Sequence, residues 1–542
     1  MLNTITRIPQ PVNEVTLDYA PGSIERDRLE AELVRQYNTR LEIPLIIGGK
    51  AVYTGKLKEV VCPHDHQHVL AICHQAGEAE IRMAIEAALA AKQQWELLPW
   101  QQRVAIFIKM ANLVSTKYRY ILNVATMLNQ SKNVYQAEID ATCEMADFLR
   151  YNAKFIEEIY SRQPESTPDT WNSLDYRPLE GFILAISPFN FTSLSGNLVS
   201  APAMMGNTVL WKPSSTALLS SYYLMELFRE AGLPDGVINF VPCSGSTLSQ
   251  VVLPHRQLGG IHFTGSTKVF VSLWKDVAAN LELYNSYPRL VGETGGKDYI
   301  FMHPSAHEEE VVTALVRGAF EYQGQKCSAC SRAYIPASKW PGVRERLLET
   351  VATIKMGDVR DFGNFINAVI DESSFDNTME YIHSAENSAD AEILCGGKGD
   401  KTTGYFIEPT VILAHRPDYI TMKEELFAPV LTIYVYPDEE MESLLDIIVT
   451  TSHYALTGAI FAQDRYVIAN LLNRLRHTAG NFYINDKPTG AVVGHQPFGG
   501  ARASGTNDKS GSPLNLLRWT SPRTIKENFL PPTQYEYPFM KR

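Results

Sequence analysis

Two thiols lie three positions apart in the segment Gly-Gln-Lys-Cys-Ser-Ala-Cys-Ser-Arg, residues 324–332. Cys327 and Cys330 could form a redox disulfide, hold half of a zinc site, or be one nucleophile beside one bystander. A zinc site requires a second ligand pair at similar spacing, and the sequence has no second C-x-x-C. A redox pair usually follows a strand and opens a helix in a thioredoxin-like fold. We therefore predict a single nucleophile, Cys327 or Cys330, whose thiolate is favoured by a helix N-terminus or by Lys326.

A second group of metal-ligating residue types lies nearer the N-terminus: Cys62, His64, His66, His68, Cys73 and His74. The three alternate histidines would share one face of a strand, which makes a metal site conceivable. Alternating polar residues are, however, the normal exposed side of a strand. We therefore predict that the chain binds no metal.

Two further residues could complete nucleophilic chemistry at a carbonyl. Glu293 is flanked by glycines and apolar residues in the segment 291–297. It could therefore be a catalytic base that moves toward a reacting group and away from it. The alternative is a turn acid between two strands. Asn190 follows Pro188 at the end of an apolar run, where its side-chain amide could donate to an oxyanion. The alternative there is a plain turn, in which Asn and Pro are common.

Phosphate and ribose could be bound at the ends of two other apolar runs. Gly265 lets the backbone come close to a ligand, and Ser266 stands where a helix N-terminus favours phosphate. The G-x-G-x-x-G motif is absent here, and the alternative is an ordinary N-cap. Lys212 could hydrogen-bond a ribose, or it could simply be solvated at a strand end.

The elements that must position these residues follow from hydrophobic periodicity. Apolar residues at helical spacing predict an early helix near 24–37 and further helices between 78 and 160. Two of these helices carry core-facing stripes, Ile81, Ala84, Ile85, Ala88 and Leu89 on one and Val104, Phe107, Ile108 and Ala111 on the next. Short apolar runs alternate with helical stretches and predict buried parallel strands at 182–186, 208–211, 237–241 and 260–263. The fold class is therefore α/β, with ligands at the carboxyl ends of the strands.

Composition limits the classes of function. The chain has 542 residues, of which 45% are hydrophobic and 20% charged, as expected for a folded protein with two sizeable domains or one large α/β unit with appendages. Its net charge of −11 includes no basic block, so we expect no nucleic-acid partner. No apolar run approaches about 18 residues, so we expect no membrane span.

Seven scattered cysteines favour a reducing compartment, and the acids Glu14 and Asp18 are unlike a mitochondrial presequence. We predict a cytoplasmic protein, with the mitochondrial matrix as the alternative.

Seven segments, taken together and in order along the chain, resemble those of the aldehyde dehydrogenase superfamily. They are Pro188-Phe189-Asn190, Lys212-Pro213, 263–267, 293–297, 324–327, 425–429 and 497–500. The separation between Glu293 and Cys327 is also close to the family pattern. The resemblance implies an aldehyde-dehydrogenase-like α/β fold with a Rossmann-type NAD-binding domain, an α/β catalytic domain and a small β oligomerisation extension.

The resemblance also implies a division of the chain. Residues 1–161 and 181–295 would form the NAD-binding domain, preceded by an N-terminal arm that wraps the surface. Residues 296–505 would form the catalytic domain, which contains the second apolar α/β section that the sequence pattern predicts from about residue 298 to residue 500. Residues 162–180 and 521–542 would form the extension, which predicts a homodimer or a higher homo-oligomer.

Carried over residue by residue, the resemblance assigns catalytic roles. Cys327 would attack an aldehyde, and the Asn190 amide with the Cys327 N–H would stabilise the oxyanion. Glu293 would activate the water that hydrolyses the resulting thioester, and Cys330 becomes the bystander. The residues implied for NAD binding are Ser187, Lys212, Ser214, Gly265, Ser266, Glu425 and Phe427. Many members hold the adenosine ribose with an acid three positions after the lysine; Ser215 stands there instead, which leaves NADP use open.

Segments around the cysteine and at 189–192, 489–494 and 501–509 are similar to one branch of the superfamily, which oxidises glutamate γ-semialdehyde formed from 1-pyrroline-5-carboxylate. The resemblance implies that this small molecule is oxidised to L-glutamate in proline catabolism. The implied substrate contacts are Ser328, Gly490 and Ala491 for the α-carboxylate, Phe191 and Phe498 for the aliphatic chain, and Glu138 for the α-amino group. Glu138 could equally be a helix-surface acid. The alternatives are a dehydrogenase for another semialdehyde and a non-catalytic structural relative.

Overall fold

The computed structural model of the protein describes residues 6–541. Its helices are α1 (Ile24–Tyr37), α2 (Glu78–Leu97), α3 (Trp100–Ser115), α4 (Arg119–Gln130), α5 (Val134–Ala137), α6 (Met145–Ser161), α7 (Thr192–Met204), α8 (Leu218–Ala231), α9 (Gly245–Val252), α10 (Thr267–Ala279), α11 (Glu308–Phe320), α12 (Trp340–Ala352), α13 (Glu372–Glu386), α14 (Ile420–Lys423), α15 (Met441–Thr451), α16 (Arg465–Arg474) and α17 (Pro513–Leu517). A π-helix, Glu138–Glu144, links α5 to α6. None of the helices in the described part of the chain is long and apolar enough to cross a membrane.

The strands belong to several sheets of different size. They are β1 (Leu41–Ile43), β2 (Leu45–Ile47), β3 (Lys50–Val52), β4 (Leu57–Cys62), β5 (Asp65–His74), β6 (Thr170–Pro178), β7 (Phe182–Ile186), β8 (Thr208–Lys212), β9 (Ile238–Phe240), β10 (Leu258–Thr264), β11 (Arg289–Glu293), β12 (Asp298–Met302), β13 (Cys330–Pro336), β14 (Ala391–Cys395), β15 (Gly399–Asp400), β16 (Phe406–Ile407), β17 (Thr410–Ala414), β18 (Val430–Tyr436), β19 (Tyr454–Ala455), β20 (Thr457–Phe461), β21 (Asn481–Ile484), β22 (Ala501–Arg502) and β23 (Thr520–Asn528).

The first large sheet has seven strands in the order β11-β10-β7-β8-β9-β2-β3. Strands β7 to β11 are parallel, and the four strands predicted from apolar runs are confirmed as β7, β8, β9 and β10. From β7 the chain builds outward through β8 and β9, and then returns to the other side of β7 with β10 and β11. The winding direction therefore reverses between β7 and β10, which is where such sheets bind ligands.

Alternate side chains of β7 enter two different cores. Ile183 and Ala185 pack with α3, α4, α6, α7 and α8, whereas Phe182 and Leu184 pack with α2, α9 and α10. The apolar stripes predicted on α2 and α3 are buried in these two cores, one on each face of the sheet. The prediction of a parallel sheet covered by helices on both faces is confirmed.

The second large sheet has the order β14-β17-β18-β13-β12-β20-β21, and β14 alone of these strands is antiparallel to its neighbour. Helices α11 and α12 pack on one face, and α15 and α16 pack on the other. Its first strand, β12, begins five residues after β11 ends, so the short segment 294–297 joins the two sheets. The predicted start of a second α/β section near residue 298 is confirmed.

The two predicted extensions pair with each other. Strands β6 and β23 run antiparallel over their full lengths and form a two-stranded sheet apart from the others. Trp171 and Phe529 pack edge to face with ring centroids 5.5 Å apart and remain exposed. The domain boundaries and the role of this ribbon in oligomerisation stay predictions. Residues 1–5 of the arm and residue 542 of the second extension lie outside the described residues.

Candidate active site

Five of the residues implied for cofactor binding meet at one edge of the first sheet. They follow neighbouring parallel strands and are Ser187 after β7, Lys212 and Ser214 at the end of β8, and Gly265 and Ser266 after β10. Because the carboxyl ends of parallel strands share one edge, these residues border the crevice at the winding reversal. The Ser266 hydroxyl also accepts a hydrogen bond from the N–H of Val269 (3.4 Å), so its role as the N-cap of α10 is confirmed.

Lys212 indicates that a polar ligand belongs in this crevice. Burial lowers the pKa of the Lys212 ammonium group, and among the residues that the structure describes its Nζ has neither a hydrogen-bond acceptor nor a carboxylate partner. Ser187, by contrast, already accepts a hydrogen bond from the Trp211 indole N–H (3.0 Å). A half-buried cation without an acceptor is costly, and a ribose hydroxyl would supply one. The helix N-terminus at α10 suits phosphate in the same crevice.

Glu425 and Phe427 reach the crevice region from the second section, in the loop before β18. The Glu425 carboxylate accepts a hydrogen bond from the Gly296 N–H (2.8 Å), and burial raises the pKa of Glu425 to about 7. Phe427 has a left-handed backbone conformation (φ 56°), and its ring lies 5.8 Å from that of Phe189, which follows β7. The two residues therefore lie where the two sections of the chain meet, and their contact with a cofactor stays a prediction.

A cavity of about 630 Å³ gathers most of the residues implied for catalysis and substrate binding, although Asn190 and Glu138 are not part of its lining. Its lining includes Cys327, Glu293, Ser328, Phe191, Phe498, Gly490 and Ala491. Cys327 lies in the turn before β13 and is partly exposed, whereas Cys330 begins β13 and is fully buried in the core beside α11. The Cys330 thiol donates to the carbonyl of Arg332 (3.5 Å). Of the two thiols, Cys327 is the one that reaches the cavity.

The Asn190 side chain is tied to the loop that carries this thiol. Asn190 is buried in the turn between β7 and α7, and its Nδ2 donates to the Gln325 carbonyl (3.0 Å), two residues before Cys327. The same amide nitrogen carries a second N–H, and the Cys327 backbone N–H lies close enough to interact with its own sulfur. The Cys327 backbone N–H is therefore beside its own sulfur, and the Asn190 side chain is held by the loop that carries that sulfur. Their joint role as an oxyanion hole stays a prediction.

Glu293 ends β11 and lines the cavity with Cys327. Its Oε2 accepts a hydrogen bond from the Gly500 N–H (3.3 Å), and burial raises the pKa of Glu293 well above its ordinary value. The glycines that follow it allow a close approach, because a Cβ at Gly296 would collide with the Cys327 carbonyl oxygen. Glu293 therefore lies at the end of a strand and faces the cavity that Cys327 also lines, and its role as general base stays a prediction.

The Cys327 thiol is not activated in the way that its neighbours in sequence predict. Its pKa is raised well above the ordinary value, first by burial and then by three nearby acids, Asp298, Glu293 and Glu425. Lys326 forms a buried ion pair with Glu321 (3.0 Å). Cys327 also lies in a turn that leads into a strand, and no helix begins there. The prediction that Lys326 or a helix N-terminus favours the thiolate is wrong.

These environments predict that activity rises with pH. The Cys327 thiol and the Glu293 carboxyl have raised pKa values, and each must lose a proton to act as nucleophile or base. Below those pKa values, each required deprotonation contributes up to about tenfold in rate per pH unit. We expect kcat/KM for an aldehyde to increase from about pH 6 to about pH 9 at constant ionic strength. A maximum at the acid end of that range would contradict the raised pKa values.

Ser328, Gly490 and Ala491 form a polar end of the cavity. The Ser328 hydroxyl lies 2.8 Å from the hydroxyl of Thr489, so the residue after the nucleophile is joined to the loop 489–493. Gly490 has a left-handed backbone (φ 96°), and within residues 6–541 the N–H groups of Gly490 and Ala491 have no acceptor. Two available N–H groups beside a hydroxyl suit a carboxylate.

Glu138 does not line the cavity, contrary to its implied role. It is fully buried in the π-helix, paired with Arg119, and accepts hydrogen bonds from the Tyr19 hydroxyl (2.6 Å) and the Asn123 amide (2.7 Å). Contact with a ligand would require Glu138 to leave these partners. The assignment of Glu138 to the substrate's α-amino group is therefore corrected, and the alternative of a helix-surface acid is also wrong.

An acid of the same π-helix that does line the cavity is Glu144, at the other end of that helix. Its Oε2 accepts a hydrogen bond from the Ser193 hydroxyl (2.6 Å), and burial raises the pKa of Glu144 to about 8. Sequence reasoning missed this residue because a π-helix shifts the side chains away from regular helical spacing. The available signal was an acid within a largely apolar helical stretch.

The histidines near the N-terminus form hydrogen bonds with other residues of the protein. His64 precedes β5, so the three histidines do not share one strand face as predicted. Its Nδ1 lies 3.2 Å from the Ser131 hydroxyl, and the His68 Nε2 lies 2.7 Å from the Tyr37 carbonyl. Across the described part of the chain, no group of three or more His, Cys, Asp or Glu side chains is arranged to hold a metal ion.

Comparison with known proteins agrees with this geometry. The model of the aldehyde dehydrogenase family matches residues 52–525. The mitochondrial delta-1-pyrroline-5-carboxylate dehydrogenase of Dictyostelium discoideum is 54% identical over 98% of this chain and 96% of that relative, and its human counterpart is 49% identical over 98% and 94%.

Solved structures lead to the same family. The Mycobacterium tuberculosis delta-pyrroline-5-carboxylate dehydrogenase bound with NAD has a TM-score of 0.97 at 50% identity and covers 100% of both chains. A 1-pyrroline-5-carboxylate dehydrogenase from Thermus with bound NAD has a TM-score of 0.90 at 29% identity, over 97% of this chain and 100% of the other. The chain belongs to the aldehyde dehydrogenase family.

Proposed function

We propose that this protein catalyses the NAD-dependent oxidation of L-glutamate γ-semialdehyde, the open form of 1-pyrroline-5-carboxylate, to L-glutamate. The observation that carries the proposal is a single cavity that joins Cys327 to the polar end formed by Ser328, Gly490 and Ala491. Relatives similar over nearly the whole chain are named 1-pyrroline-5-carboxylate dehydrogenases, and the Mycobacterium and Thermus structures contain NAD. Proline catabolism is the pathway in which this reaction takes part.

The reaction begins when the Cys327 sulfur forms a bond to the aldehyde carbon. The carbonyl oxygen gains negative charge as its double bond opens, and the Asn190 amide and the Cys327 N–H donate to it. The bond from the buried Asn190 to the Gln325 carbonyl supports this role, because it holds the side chain against the loop that carries Cys327. The product of this step is a tetrahedral thiohemiacetal held by Cys327.

The remaining steps use the cofactor crevice at Lys212 and the carboxylate of Glu293. When bound at Lys212 and the α10 N-terminus, NAD supplies the chemistry of accepting a hydride from the carbon that Cys327 holds. A thioester on Cys327 then remains, and Glu293 takes a proton from the water that attacks it. The Cys327–carbon bond breaks and L-glutamate leaves.

The amino-acid end of the substrate carries an α-carboxylate and an α-ammonium group, and the cavity offers polar groups that suit each of them. Ser328 and the N–H groups of Gly490 and Ala491 bind the α-carboxylate, while Phe191 and Phe498 flank the aliphatic chain. The α-ammonium group pairs with the carboxylate of Glu144, which takes the role first assigned to Glu138. Binding of this cation would favour the ionised form of Glu144 despite its raised pKa.

A substrate panel with NAD tests the proposal. We expect kcat/KM for glutamate γ-semialdehyde to exceed that for propanal by at least about 10²-fold, because an aldehyde without the carboxylate leaves the polar end of the cavity unpaired. Succinate semialdehyde, which lacks the α-amino group, should fall between the two. Faster oxidation of succinate semialdehyde would favour another semialdehyde dehydrogenase. No NADH formation from any aldehyde would favour a non-catalytic relative.

Self-association and compartment also remain proposals. The β6–β23 ribbon presents exposed apolar side chains, including Trp171 and Phe529, which suit contact with a second copy of the chain as a homodimer or higher homo-oligomer. The sequence predicts a cytoplasmic location. The names of the Dictyostelium and human relatives include the word mitochondrial, which supports the matrix as the alternative.

A further inference from the structure

The N-terminal arm forms one wall of the substrate cavity. The many charges of this segment predict that it wraps the surface, and residues 6–23 do run outside the sheets. However, Asn13, Glu14 and Thr16 line the same cavity as Cys327 and Gly490. The arm is therefore part of the site, although it is distant in sequence from every residue assigned there.

Asn13 connects this arm to two other parts of the cavity wall. Its Nδ2 donates to the Asp147 carboxylate on α6 (2.7 Å) and to the backbone carbonyl of Val493 (2.9 Å). Its Oδ1 accepts a hydrogen bond from the Tyr151 hydroxyl, also on α6 (2.9 Å). Because both ends of the amide are engaged, the orientation of the Asn13 side chain is fixed.

The bond to Val493 holds the far end of the loop that is proposed to bind the α-carboxylate. The near end of loop 489–493 is held by the hydrogen bond between Thr489 and Ser328 (2.8 Å). Immediately after the loop, Gly494 has a left-handed backbone (φ 84°), and a Cβ there would collide with the Tyr151 ring. The loop therefore lies close against α6, with Asn13 between them.

We propose that Asn13 is a positioning residue that sets selectivity for aldehydes bearing an α-carboxylate. By binding the Val493 carbonyl, it holds the Gly490 and Ala491 N–H groups at the separation and direction that one carboxylate requires. The inference rests on the proposed function, since it concerns the same polar end of the cavity. Asn13 touches neither the reacting carbon nor the sulfur in this account.

Other contacts anchor the arm independently of the Asn13 side chain. Glu14 is paired with Arg119 (2.9 Å) and with Arg150 (2.8 Å), and its backbone N–H donates to Asp147 (2.7 Å). The N–H of Ile8 donates to a carboxylate on α6, and the Tyr19 hydroxyl is bonded to Glu138. Loss of the Asn13 amide should therefore leave the arm in place and release the loop alone.

The test compares two substrates in Asn13→Ala and Asn13→Asp. For glutamate γ-semialdehyde we expect KM to rise about three- to tenfold, the effect of one lost hydrogen bond, with kcat changed by less than about threefold. The aspartate variant keeps the acceptor for Tyr151 but cannot donate to Val493 and sets a second carboxylate against Asp147, so the rise in KM should be at least as large. For propanal, which has no carboxylate, kcat/KM should stay within about twofold of the wild type.

Gln10→Ala is the matched control, because Gln10 is exposed on the same arm, and it should leave both substrates unchanged. If Asn13→Ala does not fold, Tyr151→Phe removes the bond that orients the Asn13 amide and should raise KM for the semialdehyde alone. An equal loss with both substrates, or an unchanged KM for the semialdehyde, would overturn the inference. Failure of the proposed function would be seen earlier, as a wild type that does not prefer the semialdehyde to propanal.

Discussion

Cys327→Ser should abolish aldehyde oxidation, with kcat lower by about 10⁴-fold or more. A serine hydroxyl has the position of the thiol but is a much weaker nucleophile, because a hydroxyl is far less ionised than a thiol at a given pH. The measurement is NADH formation from glutamate γ-semialdehyde under saturating NAD. The variant should still bind NAD, which can be measured as quenching of protein fluorescence.

Cys330→Ser is the matched control for that change. Cys330 is fully buried and bonded to a backbone carbonyl, so the variant should lose some stability but retain activity within about threefold. Thermal unfolding would report the loss of stability separately from kcat. Equal damage from both substitutions would indicate a redox pair, and it would contradict the assignment of Cys327 as the single nucleophile.

Glu293→Gln should block turnover without blocking the first oxidation. Removal of a general base lowers the rate of the step that needs it by about 10²- to 10⁴-fold, and here that step is hydrolysis of the thioester on Cys327. We therefore expect steady-state kcat to fall by that factor. Rapid mixing with substrate and NAD should still give a burst of NADH close to one equivalent per active site, because the oxidation precedes hydrolysis.

Glu310→Gln provides the corresponding control for Glu293. Glu310 is exposed in the first turn of α11, so the same chemical change there should leave both the burst and the steady state near wild type. A Glu293→Gln enzyme with neither burst nor turnover would place the acid in the first step as well. Normal turnover would remove Glu293 from the mechanism.

Local pattern was enough to predict the framework of the site. The short apolar runs became β7, β8, β9 and β10, because a strand buried on both faces requires continuous apolar sequence. The stripes on α2 and α3 were buried as predicted, since each helix must cover one face of the sheet. Once those strands are parallel, their carboxyl ends must share one edge, which brings Lys212 and Ser266 together.

Local pattern did not decide between residues that lie close together in sequence. Cys327 and Cys330 differ because one precedes β13 and the other begins it, so their side chains enter a cavity and a core respectively. Glu138 and Glu144 lie in the same π-helix, and its irregular spacing turns one toward Arg119 and the other toward the cavity. Neither difference follows from residue type.

The sequence by itself therefore determined the α/β class, the family resemblance and the small set of residues able to attack, stabilise and hydrolyse an acyl group. The tertiary structure decided which thiol reaches the cavity, which acid of the π-helix lines it, and that the N-terminal arm forms part of its wall. The physical reason is distance along the chain. Periodicity reports on neighbours within one element, whereas the bond between Asn13 and Val493 joins residues 480 positions apart and exists only after both sheets are packed.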